Sequence, residues 1–207
     1  MNTFITTVSD RRVDVLAPDW NDIDLGDLAR GLSQLRRFGG QSRRGFSVGQ
    51  HSLVVAELAH PAVRLAALLH GAHEAYLGDW TGPGIEALCT LDGFARNALM
   101  RLRRGLDIAI ARRVLEDAQA RPRHGTAIEA TVLADEMAGP VVGRADDEAL
   151  ALEMAIKGQH ALQNGPSPAV PRAVDLYGVM EPAAAEIALE WAQAVRAAAR
   201  ERYGVEP

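Results

Sequence analysis

Residues 65–79 read LAALLHGAHEAYLGD, an apolar helical pattern that turns into a cluster of ionisable groups. Leu65, Leu69, Ala72 and Tyr76 recur at i, i+4, i+7 and i+11, which predicts one helix with a stripe facing a core. His70, His73, Glu74 and Leu77 follow the i, i+3, i+4, i+7 spacing, so the same helix stacks two imidazoles and a carboxylate on a second face. The helix is expected to stop near Gly78, with Asp79 at its end and Trp80, Thr81, Gly82 and Pro83 in a loop. Ionisable groups this dense, directly after an apolar run, are partly desolvated. A metal, a phosphate or a mutually paired network would relieve that cost.

The segments before this stretch supply partners for it. Residues 1–20 hold two β-rich runs around Ser9-Asp10-Arg11-Arg12 and predict a short hairpin. A helix capped by Asn21 or Asp22 follows through Ile23, Leu28, Leu32 and Leu35. Next comes RRFGGQSRRG at 36–45, where Arg36, Arg37, Arg43 and Arg44 sit among glycines that let backbone approach a ligand. Val48, His51, Val55 and Leu58 then lie at i, i+3, i+7 and i+10 of another helix, so His51 points inward, toward the interior that the 65–77 helix faces. Two inward histidines on successive helices can meet at one ion.

Downstream, helices are expected over about 92–117, 126–139, 144–157 and 182–203, with loops at 118–125 and 163–171 and a short apolar segment at 174–179. The side of the 92–117 helix carrying Phe94, Ala98, Leu102, Leu106, Ala109 and Ile110 is its apolar face; Leu150, Met154 and Ile156 are apolar members of the 144–157 helix. The sum is one all-α domain over 1–207: an N-terminal arm or hairpin, a helical core at 21–160, and a C-terminal loop and helix at 161–207. The apolar 182–203 helix is the candidate interface for a homodimer.

Composition excludes several classes. The net charge of −5 and pI near 5.7 lack the basic footprint that DNA or RNA duplex binding needs. A single cysteine, Cys89, excludes an internal disulfide framework and fits a reducing cytoplasm. No apolar run approaches the roughly 18 residues of a membrane span, and residues 1–10 lack signal-peptide character, so a soluble, cytoplasmic protein without a membrane partner is expected.

Together, RRFGGQSRRGFSVGQHS at 36–52, LLHGAHEAYLGD at 68–79, the helix around 126–139 and MEPAAAEIALEW at 180–191 resemble the HD-domain metal-dependent phosphohydrolases. The likeness is to the branch of bacterial 5'-deoxynucleotidases and phage deoxynucleotide hydrolases. It implies a helical bundle that binds a divalent transition metal (Mn, Co, Zn or Fe) and hydrolyses a nucleotide or other small phosphorylated substrate. The metal would sit on His51, His70 and a late carboxylate, Asp135 by residue identity or Glu129 by spacing. Glu74 and Asp79 fall at positions associated with activating water and protonating the leaving oxygen. Arg37-Phe38 resembles the Arg-aromatic pair used beside phosphate and sugar, with Arg43, Arg44 and Trp80 as further substrate contacts.

One position departs from the pattern. Gly71 stands where the family has the aspartate of its His-Asp pair. Helical glycine costs about 1 kcal/mol relative to alanine, so helix stability does not explain it. Either the metal site is weakened or lost, or His73 or a water replaces the carboxylate, or an aspartate has been exchanged to trap a ligand. The second functional expectation is therefore a protein that binds a nucleotide without hydrolysing it.

Overall fold

The computed structural model describes residues 2–42, 45–118, 126–156 and 183–204. They form an all-α domain with a short N-terminal hairpin. The expected features at 43–44, 119–125, 163–171 and 174–179 lie outside the described residues.

Strands β1 (Phe4–Thr6) and β2 (Arg12–Asp14) pair antiparallel, with Ile5 opposite Val13. Val13 is fully buried and ties the hairpin to the helical core. Helix α1 (Leu25–Gln34) is capped by Asp24, two residues later than expected; its carboxylate accepts from the Gly26 and Asp27 amides. Helix α2 (Val48–Leu58) opens with a capping box in which Ser47 and Gln50 satisfy each other's backbone amides. Between them, the 36–47 loop is closed at its base: the Arg37 amide donates to the Phe46 carbonyl and the Val48 amide to the Leu35 carbonyl, both at 2.9 Å.

The 65–77 stretch is not one helix. Helix α3 (Arg64–Leu69) ends at His70, and α4 (Glu74–Leu77) begins four residues later. Through the break the backbone uses tighter i→i+3 bonds: Ala72 to Leu69, Glu74 to Gly71 and Ala75 to Ala72. Glycine at 71, the residue with the weakest helix preference short of proline, sits inside the break. The apolar stripe survives, since Leu65, Leu69, Ala72 and Tyr76 are all buried. Gly78, at φ +84°, terminates α4 in a backbone region that disfavours any side chain.

Residues 79–83 are not all loop: α5 (Gly82–Leu91) starts there, with Thr81 as cap and Pro83 in its first turn, where its missing amide is harmless. Helix α6 (Ala95–Asp117) runs beside α7 (Thr126–Met137). Only its second half is core, through Leu106, Ala109, Ile110, Val114 and Leu115; Phe94, expected on the apolar face, is 81 % exposed. Helix α7 stops at Met137, and Pro140 starts α8 (Pro140–Ile156). The buried face of α8 is Val142, Ala145, Ala149, Leu152 and Glu153, and its register places Leu150 outward.

Helix α9 (Ala184–Tyr203) lies along α1 and also meets α2 and α3. Its stripe of Ile187, Trp191, Val195 and Ala198 is buried in the core. Among the described residues no helix is long and apolar enough to cross a membrane.

Trp191 is fully buried and its Nε1–H donates to the Leu68 carbonyl at 3.1 Å, joining α9 to α3 just before the break. Replacing Trp191 with Phe, which strands that carbonyl, is expected to cost about 1–3 kcal/mol. Trp191→Ala, which also opens a cavity, is expected to cost about 3–5 kcal/mol. Urea unfolding curves check both; a Trp191→Phe protein as stable as the parent would show that the hydrogen bond is immaterial.

Candidate metal centre

The site is built on α2, α3 and α8. His51 is 1 % exposed on α2, and its ring is held between two carboxylates of α8. Nδ1 lies 2.8 Å from Glu153 Oε1, and Nε2 lies 2.9 Å from Asp146 Oδ1. Seven residues separate these acids, two turns of α8, so they share one face. The second Glu153 oxygen accepts from Arg37 Nε at 3.0 Å. Glu153 is fully buried yet both its oxygens are bonded, which is the condition under which a buried charge is tolerated.

His70 closes the group from the end of α3. Its Nδ1–H donates to the Ala67 carbonyl at 2.7 Å, which fixes the tautomer because a carbonyl only accepts. Nε2 is thereby turned toward His51 Nε2, 3.2 Å away, and Asp146 Oδ1, 3.9 Å away. Among the described residues, His51, His70 and Asp146 form the group with the spacing to hold a metal ion, their donor atoms all within 4.8 Å of one another.

Electrostatics fit that reading. Burial, with the neighbouring His51 charge, pushes the His70 pKa down to about 4, so the ring is neutral and its Nε2 lone pair is available at neutral pH. Burial also opposes a charge on His51, but the Asp146 and Glu153 carboxylates outweigh it and hold the pKa above the ordinary histidine value. Burial raises the Asp146 carboxyl too, yet the hydrogen bond from His51 and the adjoining imidazoles leave it below the usual range. With both Nδ1 atoms committed, two Nε2 atoms and a carboxylate oxygen face one small space. They repel unless a proton or a cation lies among them. This donor set, two imidazoles and one carboxylate, suits a divalent transition metal.

The expected late carboxylates are elsewhere. Asp135 is exposed on α7 and paired with Arg104. Glu129 is in the first turn of α7, where its charge reaches Tyr203. The carboxylate that the structure places beside His51 and His70 is instead Asp146, one helix later, because α8 and not α7 presents acids to His51. Glu153 and Asp146 were both missed by sequence reasoning. A signal existed: Ala145-Asp146 repeats the Ala-Asp dipeptide found at 134–135, and Glu153 falls on the buried stripe of α8.

Other expected residues divide. Glu74 is close enough for its charge to interact with His73, Asp79, Arg37 and His51, and its Oε2 is buried without a hydrogen-bond partner among the described residues. Burial raises its pKa to about 6. Asp79 has a similarly buried, unpartnered Oδ2, and its charge contributes to raising Glu74. Arg37 follows α1 in a turn where Phe38, Gly39 and Gly40 all have positive φ; for Phe38, at +60°, this stores strain of order 1–3 kcal/mol beside the site. The Arg37 guanidinium lies 5.4 Å from the Phe38 ring centroid. Trp80 is 46 % exposed and spends its Nε1–H on the Leu77 carbonyl. Arg43 and Arg44 lie outside the described residues. His73 does not join the cluster: its Nδ1 lies 2.9 Å from Asp107 Oδ1, a buried acid on α6 that the sequence did not single out.

Gly71 faces the core next to Glu74. A Cβ built on it would lie 3.3 Å from Glu74 Oε1 and 3.4 Å from Val48 Cγ1. A side chain at 71 therefore competes with Glu74 for space, and the absence of one at 71 and the inward pose of Glu74 are coupled.

Two outcomes follow. Glu153→Gln is expected to lower transition-metal affinity about 10–100-fold by removing the charge that orients His51, measured by competition with a metallochromic chelator. In metal-free protein, Glu74 has a folded pKa of about 6 against an ordinary 4.5, so the folded state keeps a proton that the unfolded chain has released. Stability is thus lost as pH rises from about 4.5 through about 6. Glu74→Gln removes that loss and is expected to be the more stable protein above pH 6.5, by about 1–2 kcal/mol, with no such advantage at pH 4. Urea titrations at the two pH values read the difference; an advantage independent of pH would show that Glu74 does not titrate this way.

No family model matches the chain. It is 45 % identical over 85 residues to an uncharacterized protein of Rhodobacter capsulatus, covering 37 % of this chain and 43 % of that protein. It is 33 % identical over 81 residues to the uncharacterized protein YfdR of Escherichia coli, covering 39 % of this chain and 46 % of that protein. The chain thus matches less than half the length of each of these curated relatives.

Proposed function

We propose that this protein is an HD-type, metal-dependent phosphohydrolase acting on a nucleotide, with a (deoxy)nucleoside 5'-phosphate as the substrate class. The observation that carries the reading is the convergence of His51, His70 and Asp146 donor atoms, with both histidine tautomers fixed from behind by Glu153 and Ala67. A divalent cation bound there would polarise a phosphoryl oxygen and acidify water. The chain's own residues supply the rest. Glu74, with a pKa of about 6, can accept a proton near neutral pH and return it. Asp79, whose charge bears on Glu74, is the second carboxylate, and the family resemblance gives it the leaving oxygen. Arg37 brings positive charge to the cluster while its Nε stays on Glu153, so its terminal nitrogens are the ones to meet phosphoryl oxygens.

A second reading is favoured by Gly71: a site with one carboxylate ligand fewer holds a nucleotide and does not hydrolyse it. Metal analysis by mass spectrometry on untagged protein, followed by a nucleotide phosphate-release screen with Mn, Co or Zn, separates the two. The enzyme reading expects near-stoichiometric metal that disappears in His51→Ala, and phosphate release that falls at least about 100-fold in that variant. Metal and nucleotide binding without release, with release appearing in Gly71→Asp, would establish the second reading. Failure to take up any metal would overturn the first.

A further inference from the structure

A cavity of about 930 Å³ opens beside the cluster and is left unused by the chemistry above. His70 and His73 line it from the break between α3 and α4, α6 lines it along its exposed first half, and the end of α7 completes it. Arg37, Glu74 and Asp79 are not among its lining residues. Its wall carries three guanidiniums, Arg101, Arg103 and Arg104, against one lining carboxylate, Asp107, which is already bonded to His73. Arg104 is occupied by Asp135. Arg103 is half-buried and its charge reaches Asp107, although burial still holds that carboxyl above the usual range. Arg101 is exposed and makes no ion pair among the described residues. In the same wall, Phe94 and Met100 are 81 % and 62 % exposed. A helix face that bears arginines not fully neutralised, next to large apolar side chains facing solvent, fits a ligand that is anionic at one part and flat and apolar at another.

We propose that this cavity is a subsite for the part of the ligand remote from the metal cluster, in which Arg101 and Arg103 bind a second anionic group and Phe94 and Met100 contact a nucleobase. The proposal rests on the functional reading above in taking His70 as the end where the first phosphoryl group sits. It narrows the ligand class to nucleotides carrying more than one phosphoryl or equivalent anionic group. Arg103 is the inner contact because the cavity floor, with Asp107 held by His73, leaves its charge only partly offset. Arg101 is the outer contact and the more salt-sensitive one.

The test is calorimetric titration of the full chain with deoxynucleoside mono- and diphosphates of the four common bases, with Mn and again in EDTA. Diphosphates are expected to bind at least about 10-fold more tightly than the matching monophosphates. The preference should shrink to less than about 2-fold in Arg101→Ala/Arg103→Ala, and Arg101→Lys/Arg103→Lys should restore part of it. Phe94→Ala should weaken mono- and diphosphates by a similar factor. Circular-dichroism melts confirm that each variant is folded, and since Arg101 and Phe94 are solvent-exposed, the single variants Arg101→Ala and Phe94→Ala serve if the double variant is not. Equal binding of mono- and diphosphates, no binding of either for any base, or a preference that survives the arginine substitutions would overturn the subsite. Failure of the hydrolase reading looks different: a diphosphate preference that persists in His51→Ala, with no phosphate release by any form, keeps the subsite and removes the enzyme.

Discussion

The arrangement depends on one buried carboxylate. Glu153 has no solvent exposure, and its two oxygens are divided between His51 on α2 and Arg37 from the loop after α1. Without those partners its ionised form would cost several kcal/mol to bury. With them, three distant segments are locked in one geometry. The lock also has a chemical effect. By holding His51 at Nδ1, it aims Nε2 at Asp146 and His70, so the donor cluster is a consequence of how a core charge is neutralised.

The cluster then sets up a competition between a proton and a cation. His70 cannot supply the proton, because burial keeps its pKa near 4 and its Nδ1–H is already bound to Ala67. His51 can: its raised pKa reflects an imidazolium bridged between two carboxylates. A metal bound there would have to displace that proton, so its occupancy would fall as pH drops into the range where His51 is charged, and binding would release a proton. Asp146, whose side chain is 42 % exposed, is the wet edge of the group and the route by which either competitor enters.

Much of the framework was legible in the sequence because period and punctuation agree there. The stripe through Leu65, Leu69, Ala72 and Tyr76, the inward His51 and the short hairpin are all local patterns. Where reading failed, the deciding interaction was not local. The helix through His70 breaks at a glycine that periodicity alone treats as neutral. α8 was read from its large apolar residues, yet its buried face is mainly small residues and an acid, because His51 and Arg37 need Glu153 there. Asp146 and Asp135 occur in the same dipeptide context, and only packing tells them apart: one meets two imidazoles, the other an exposed arginine. Asp107 was invisible for the same reason, since its partner His73 lies 34 positions away.

On the proposed reading, Gly71 would change the charge balance of the centre as well as its ligand count. Two neutral imidazoles and one carboxylate around a divalent ion leave a net charge of about +1, where a second carboxylate would leave none. The Glu153 and Arg37 charges offset each other nearby. Glu74 fills the space beside Gly71 and, with a pKa of about 6, is largely charged at neutral pH and takes up its proton as the pH falls through that value. A centre built this way binds its cation less tightly than one with two carboxylates, yet presents more positive charge to whatever approaches the cation. On the proposed reading, one carboxylate fewer would therefore not argue against an anionic substrate: it would trade affinity for the metal against attraction for a phosphoryl group, and Glu74, which takes up its proton as the pH falls through about 6, would be the residue that sets how far the trade goes.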